Sequence, residues 1–409
     1  MIIGGSISRS STKDLCYILL STTFLSSHDK NIKNLRLIDY SVYILSCPKK
    51  MINGPCGGYN RSRCEDPRLG CVWIKAFENL KKYGREKDLF KLKLDSMFKI
   101  RDHKPIKRDI REKLKIKDRI YLIYEYVASR DIDPRKLEKD LDHIFSTYDA
   151  IDFVQNPGGR PLPDPLSLAV FTKKIYPHKH VGFQITGRDY DRDAITSIVA
   201  SAIVFNIDSI IATTGDLKFH KEKTYGVWDL DSSRIIYLIR LISDLGRDYS
   251  GRKILEKPRE ILVGASLNPY LDPIEPEIYK LNIKKHAGAD FFVTQPIFEP
   301  ETYTRIMRLY KDLLNENDIP EIIPGISIIS DIRIASFLIE RSGVKPPSKI
   351  LEALKREDFS LIKETNIEFI SDLVRKICVN HEKKIFYIST FGDIDMALEI
   401  GGSIKKMNC

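Results

Sequence analysis

The residues with the clearest chemical use stand singly at the ends of short apolar runs. Glu125 sits inside YLIYEYVASR, Gln184 and Thr186 open QITGRDYDRD, and Thr214, Gly215 and Asp216 close IIATTGD. Asn268 follows in GASLNP, and Gln295 follows Thr294 in VTQPIF. A carboxylate among apolar neighbours is either paired or held neutral as an acid, because an unpaired buried charge is expensive. Gln, Thr and Asn offer hydrogen bonds to a planar heterocycle, and a glycine lets the backbone approach a ligand closely. The same types also serve as ordinary helix caps, so no single one identifies a site. No HxxH, HExxH or Ser-His-Asp order accompanies them, and Lys284 and Lys285 fall in a helix, not at a strand end where a Schiff base would form. The set speaks against hydrolysis and aldolase chemistry. It favours recognition of a flat cofactor, with one or two carboxylates handling protons.

A second constellation lies upstream. Cys47, Cys56, Cys64 and Cys71 fall within CPKKMINGPCGGYNRSRCEDPRLGC, a stretch whose Gly, Pro and Asn content forms turns and not a long helix. Four thiolates gathered by turns would hold zinc or an iron–sulfur cluster. The spacing lacks the paired C-x2-C of common zinc ribbons, and free thiols in a tight structural knot are the other reading. Disulfides are not expected in a reducing cytoplasm, and Cys16, Cys378 and Cys409 stand isolated.

These residues need a scaffold. Eight β-branched and apolar runs occupy residues 120–126, 150–154, 180–185, 208–213, 260–265, 290–295, 321–326 and 384–390, each followed by a helical stretch. Strands alternating with amphipathic helices imply parallel βαβ units, since a parallel strand needs a long crossover. Eight units make a closed (β/α)8 TIM barrel, an α/β fold whose chemistry sits at the C-terminal strand ends. At 409 residues the chain has room for a barrel and a smaller module. The expected division is a Cys-rich accessory module over 1–100, a basic linker over 101–119 and the barrel over 120–403.

Charge follows that division. Residues 1–119 carry 27 Lys and Arg against 13 Asp and Glu, and residues 120–409 carry 39 against 43, giving the net +10. The excess is densest in residues 101–119, where nine of nineteen are basic. This reads as a solvated linker helix, or as a docking surface for an acidic partner or an anionic cofactor. Nucleic acid is not favoured, because no binding motif accompanies the charge. No apolar run approaches the roughly 20 residues that span a bilayer. Residues 16–26 lack the flanks of a signal peptide, so a cytoplasmic protein without membrane attachment is expected.

Taken in order, the motifs from Glu125 to Thr390 resemble the methylenetetrahydrofolate reductase family of flavin-dependent barrels. The matching segments are IYEYV, DFVQNPGGRPLPDPLSLA, QITGRD, TTGD, LNIKKHAGADFFVTQPIFEPETY, EIIPGIS and IFYISTF. The cysteine stretch resembles the module that accompanies some bacterial and archaeal reductases, where it is usually C-terminal or a separate subunit; here it comes first. The resemblance makes Glu125 the general acid, Asp216 the carboxylate beside the flavin pyrimidine, and Gln295 the amide that bonds the folate. It places Gln184, Thr214 and Gly215 at the flavin ring, and Glu277 and Lys284 at the ribityl-diphosphate and adenosine. Thr186 and Asn268 join the cofactor set as polar groups at the same strand ends. Departures are Ala128-Ser129 for the usual Pro-Pro, Thr214 for Arg before Gly-Asp, and Phe391-Gly392 for Leu-Asn.

The implied activity is reduction of 5,10-methylene-tetrahydrofolate, or a related tetrahydropterin, to the 5-methyl form by reduced FAD, as in methionine biosynthesis. NADH or NADPH is the expected donor. A ferredoxin feeding electrons through the cysteine module is the alternative. A non-catalytic barrel subunit of a one-carbon complex and a corrinoid-dependent methyltransferase barrel are further readings, and a homo-oligomer is open.

Overall fold

The computed structural model describes residues 46–116, 119–217 and 226–407. The first 45 residues of the expected module, Cys16, Cys409 and the loop at 218–224 lie outside the described residues.

All eight expected runs are strands, and all pair in parallel. They are β1 (Tyr121–Tyr126), β2 (Ala150–Phe153), β3 (His180–Thr186), β4 (Ser209–Thr213), β5 (Leu262–Leu267), β6 (Phe291–Thr294), β7 (Glu321–Ile323), β8 (Gly325–Ser327) and β9 (Ile385–Ser389). The seventh run is split in two at Pro324, which has no N–H to give to a ladder. Its first piece pairs with β6 and its second with β9, so one interrupted strand closes the ring.

Helices fill the crossovers: α3 (Pro134–Thr147), α4 (Pro165–Ile175), α5 (Arg192–Val204), α6 (Ser232–Leu245), α7 (Glu275–Ala287), α8 (Pro300–Leu314), then α9 (Ile332–Ser342), α10 (Ser348–Lys355), α11 (Phe359–His381) and α12 (Ile394–Lys405). Asp133, Asp164, Asp191, Asp231, Asp331, Asp358 and Asp393 each cap a helix by accepting a backbone N–H. None of the barrel-mouth candidates acts as such a side-chain cap. Cys378, buried on α11, is disulfide-bonded, against the expectation that it stands alone.

Side chains alternate across each strand. Val181, Phe183 and Ile185 of β3 face the helices in the main core, while Tyr121, Ile123, Ala150, Ile211, Leu262, Phe291, Ile385 and Tyr387 form a separate cluster inside the barrel. That inner cluster includes Ile110 and Leu114, because the linker plugs the barrel floor.

The linker therefore departs from the solvated helix expected of it. Among the described residues of the linker only Ile110–Lys113 (α2) is helical, and Lys107, Arg108, Arg111 and Lys113 face acids of the barrel. Arg108 pairs with Asp244 at 2.5 Å, Lys107 with Asp318 at 2.5 Å and Arg111 with Glu321 at 3.4 Å, and Lys113 pairs with Glu260. Burying two apolar residues under a floor rimmed by carboxylates outweighs leaving the segment in water.

The cysteine module packs on the opposite end. Its helix α1 (Val72–Lys81) contributes Trp73, Ile74, Phe77 and Leu80 to an apolar cluster that also takes in Leu271 and Tyr279 of the barrel. Antiparallel bridges from Asn60 to Arg63 and from Arg63 to Gly70 fold the cysteine stretch into a knuckle. Tyr59 donates to the Pro273 carbonyl at 2.7 Å, and Asn53 donates to Asp231 at 3.2 Å.

Candidate active site

One cavity of about 1050 Å³ opens at the C-terminal ends of the strands. Its lining contains Glu125, Gln184, Thr186, Thr214, Gly215, Asp216, Asn268, Glu277, Lys284 and Gln295, together with Cys56 and Cys64 of the module. Ten residues chosen from six separate segments thus share one wall.

Glu125 ends β1 facing inward, and Ser389 donates to it at 2.5 Å. Burial raises its pKa, against the opposing hydrogen bonds from Ser389 and Tyr387. Gln184 turns its amide to Tyr387 Oη at 3.0 Å and to Asp152 Oδ2 at 3.1 Å, so its donors face the barrel interior. Thr186 donates to Asp189 at 3.1 Å, and its own N–H is held by Gln155 Oε1 at 2.7 Å. Gly215 lies at φ +84°, where a Cβ would stand 2.8 Å from Arg188 Cβ. The turn carrying Asp216 therefore requires glycine at that position.

Glu277, Lys280 and Lys284 recur at helical spacing on α7 and are all buried. Glu277 Oε1 accepts the Asn268 N–H at 3.1 Å, while its Oε2 has no partner among the described residues. Lys284 donates to the Ser266 carbonyl at 2.6 Å, and burial, only partly opposed by Glu277, lowers its pKa to about 8. Asn268 donates to the Gly57 carbonyl of the module at 3.2 Å, and Lys280 donates to Pro55.

The module adds a cation to the mouth. Lys49 is buried, pairs with Glu65 and donates to the Gly215 carbonyl at 2.8 Å. Burial alone would lower its pKa, but the charges of Cys56, Glu65 and Asp216 outweigh that and hold it above its usual value. Glu65 also accepts the Leu217 N–H at 2.6 Å. The Thr214-Gly215-Asp216 turn, lacking a cation of its own, receives one from a residue far upstream.

The four cysteines come together without making the expected cage. Cys56 is close enough to influence the ionisation of Cys47, Cys64 and Cys71, and all four are free thiols. Yet among the described residues no group of three or more His, Cys, Asp or Glu side chains is arranged to hold a metal ion. Burial pushes the Cys47 and Cys64 thiols up and the Cys71 thiol to about 12.

Asp152 and Tyr387 complete the site and are absent from the residues expected of it. Asp152, 2% exposed, lies opposite Glu125 in the β1–β2 register, and Tyr387 donates to its Oδ2 at 2.7 Å. Burial raises its pKa to about 7, against the hydrogen bonds from Tyr387 and Gln184 and helped by the Glu125 charge. The available signal was an acid at an inward position of a four-residue strand in DFVQN.

Among the described residues no helix is long and apolar enough to cross a membrane. Residues 174–401 match the family described as "Methylenetetrahydrofolate reductase", and residues 34–99 match one described as "Methylene-tetrahydrofolate reductase C terminal". Methylenetetrahydrofolate reductase 2 of Schizosaccharomyces pombe is 25% identical over 241 residues, which are 54% of this chain and 36% of that protein. The chain thus matches little more than a third of that relative's length. A solved structure of an uncharacterized protein from Clostridium thermocellum, which binds two copies of 5-methyl-5,6,7,8-tetrahydrofolic acid, aligns with TM-score 0.52 at 14% identity. The alignment covers 72% of this chain and 99% of that one, and shows a shared fold.

Proposed function

The chain belongs to the methylenetetrahydrofolate reductase family, and from that premise we propose that it reduces a 5,10-methylene-tetrahydropterin to the 5-methyl compound, with FAD as resident cofactor and NADH or NADPH as donor. The observation that carries this reading is Glu125: a half-buried carboxyl of raised pKa on the wall of the large mouth cavity.

The lining suits a flavin. The cavity is at the upper end of the size range of small-molecule sites. Glu277 Oε2 is buried without a partner among the described residues, offering an acceptor to a hydroxyl group. Lys284, desolvated and buried, would gain from the negative charge of a diphosphate. When bound, the flavin supplies hydride transfer; the barrel contributes position and field.

Glu125 holds a proton at its carboxyl and delivers it to the amine nitrogen that departs as the pterin's five-membered ring opens. Asp216 places negative charge near the cation that this opening creates. Gln295 orients the pterin by its amide. Gly215, held by Lys49, fixes the turn that presents Asp216. A ferredoxin docked on residues 101–116 is disfavoured, because Lys107, Arg108, Arg111 and Lys113 there pair with acids at the barrel floor, away from the cavity.

Glu125→Gln keeps the shape and removes the proton. Flavin reduction by NADH or NADPH is expected to survive within about twofold, while methylene-pterin reduction falls by roughly 10² to 10⁴. Stopped-flow measurement of the two half-reactions decides it, and equal losses in both would make Glu125 a structural residue.

A further inference from the structure

We propose that a file of polar side chains inside the barrel, formed by Tyr387, Asp152, Ser209 and His180, returns a proton from the barrel floor to Glu125 after each turnover. The inference rests on Glu125 acting as the acid. An acid that gives up its proton to a substrate nitrogen must be reloaded, and on the cavity side its neighbour is the substrate itself. The remaining route runs through the barrel.

The file is directly bonded at its two ends and has one gap between them. Tyr387 hydrogen-bonds Glu125 and also donates to Asp152 Oδ2 at 2.7 Å. A phenol has one hydrogen. When it donates to one of two carboxyls, it can only accept from the other, so the pair Glu125 and Asp152 is organised around a shared proton.

Below, Asp152 Oδ1 is buried with no hydrogen-bond partner among the described residues. It points to the space left by Gly182, where a Cβ would stand 3.0 Å from that oxygen and 2.3 Å from Ser209 Oγ. The carboxyl and the hydroxyl thus face each other across a gap that only glycine leaves open, within reach of one bridging water. Ser209 Oγ is 2.9 Å from His180 Nε2, and His180 is partly exposed at the first residue of β3, on the floor.

The groups facing these two ends are few. Glu125, Tyr387 and Gln184 surround Asp152, and Asp208 and Lys173 flank His180. Burial, aided by Lys173 and opposed by Asp208, lowers the His180 pKa, so the ring is a transient carrier and not a resting cation. One proton enters at His180 and one leaves at Glu125; the net charge of the file is unchanged. Asp152 and His180 act through Glu125 and are positioning residues for its proton.

Two measurements test this. In His180→Ala, the first turnover with methylene-pterin should match wild type within about twofold, because Glu125 starts protonated. Later turnovers should slow by about tenfold or more, the lower end of acid–base effects, and added imidazole should restore them. Slowing without rescue would mark His180 as structural and overturn the file, as would unchanged multiple turnover in both His180→Ala and Asp152→Asn. Infrared difference titration of the ligand-free protein gives the second readout. A carboxylic-acid band titrating near neutral pH should vanish in Asp152→Asn and shift in Glu125→Gln. If wild type forms no methyl-pterin, the functional reading fails by itself, and the infrared arm still decides: absence of the shared-proton band overturns the file.

Discussion

Asp152 illustrates how one buried carboxyl ties stability to chemistry. Its folded pKa of about 7 stands above the ordinary 3.8 because burial penalises the charged form. The folded protein therefore keeps this proton to higher pH than the unfolded chain. The stabilisation is fully present below about 3.8 and is lost as pH rises through 7. At about 1.4 kcal/mol per pKa unit the whole effect reaches roughly 4 kcal/mol, less the share that belongs to Glu125 through the common proton. Asp152→Asn carries no charge at any pH and keeps an oxygen for the Tyr387 hydroxyl. It is expected to be more stable than wild type at pH 8 by about 1–3 kcal/mol and to lose the advantage at pH 4. Urea unfolding at the two pH values checks this; a variant less stable at both would mean that Asp152 is held ionised by its hydrogen bonds.

Elements place these residues because each strand and helix presents a single face. On β1 the alternation that sends Leu122 and Tyr124 to the helices sends Ile123 and Glu125 inward. On α7 the spacing of Glu277, Lys280 and Lys284 puts three polar groups on one buried face, where the module and the cavity meet them. The plug at the floor works by apolar burial, with Ile110 3% exposed among the inner side chains. Ile110→Ala is expected to lower stability by about 2–4 kcal/mol, as for other aliphatic truncations in cores. It should leave both half-reactions near wild type, because the floor lies at the opposite end from the mouth. Denaturant midpoints read beside the two rates test the separation; a matching loss in the rates would mean that the floor sets the geometry of the mouth.

At the scale of the molecule, barrel and module build one site between them. Lys49 stands over the Trp228 ring at 5.3 Å, pairs with Glu65 and holds the Gly215 carbonyl, while Asn268 and Lys280 reach back to Gly57 and Pro55. Lys49→Met fills the same space without charge and leaves the largely buried Glu65 short of its cation. Removing one partner of a buried pair typically costs about 3–5 kcal/mol. The module is expected to detach more readily, seen as faster proteolysis within residues 46–100 and faster alkylation of Cys56 and Cys64, while the barrel persists. Unchanged proteolysis and alkylation would show that the apolar contact of Tyr279 and Leu271 with the module suffices alone.

The sequence by itself determined the barrel and most of its mouth. β-branched runs spaced by helical stretches leave a parallel ring as the consistent arrangement, and its geometry carries ten residues from six segments to one end. What remained hidden depended on partners distant in the chain. Whether Asp152 faces inward is a matter of register, and its pKa depends on Glu125, Tyr387 and Gln184, which three other strands supply. Lys49 looked like one charge among many, until folding set it beside Gly215, 166 residues away. The basic linker could not be told from a docking surface, because the acids that pair with it lie on distant barrel segments. The cysteines were close in sequence, yet proximity did not fix whether their sulfurs converge as ligands. Local propensity acts over a few residues, and it shaped the elements. Burial, pairing and ionisation depend on everything packed around a group, and only the tertiary structure supplies that.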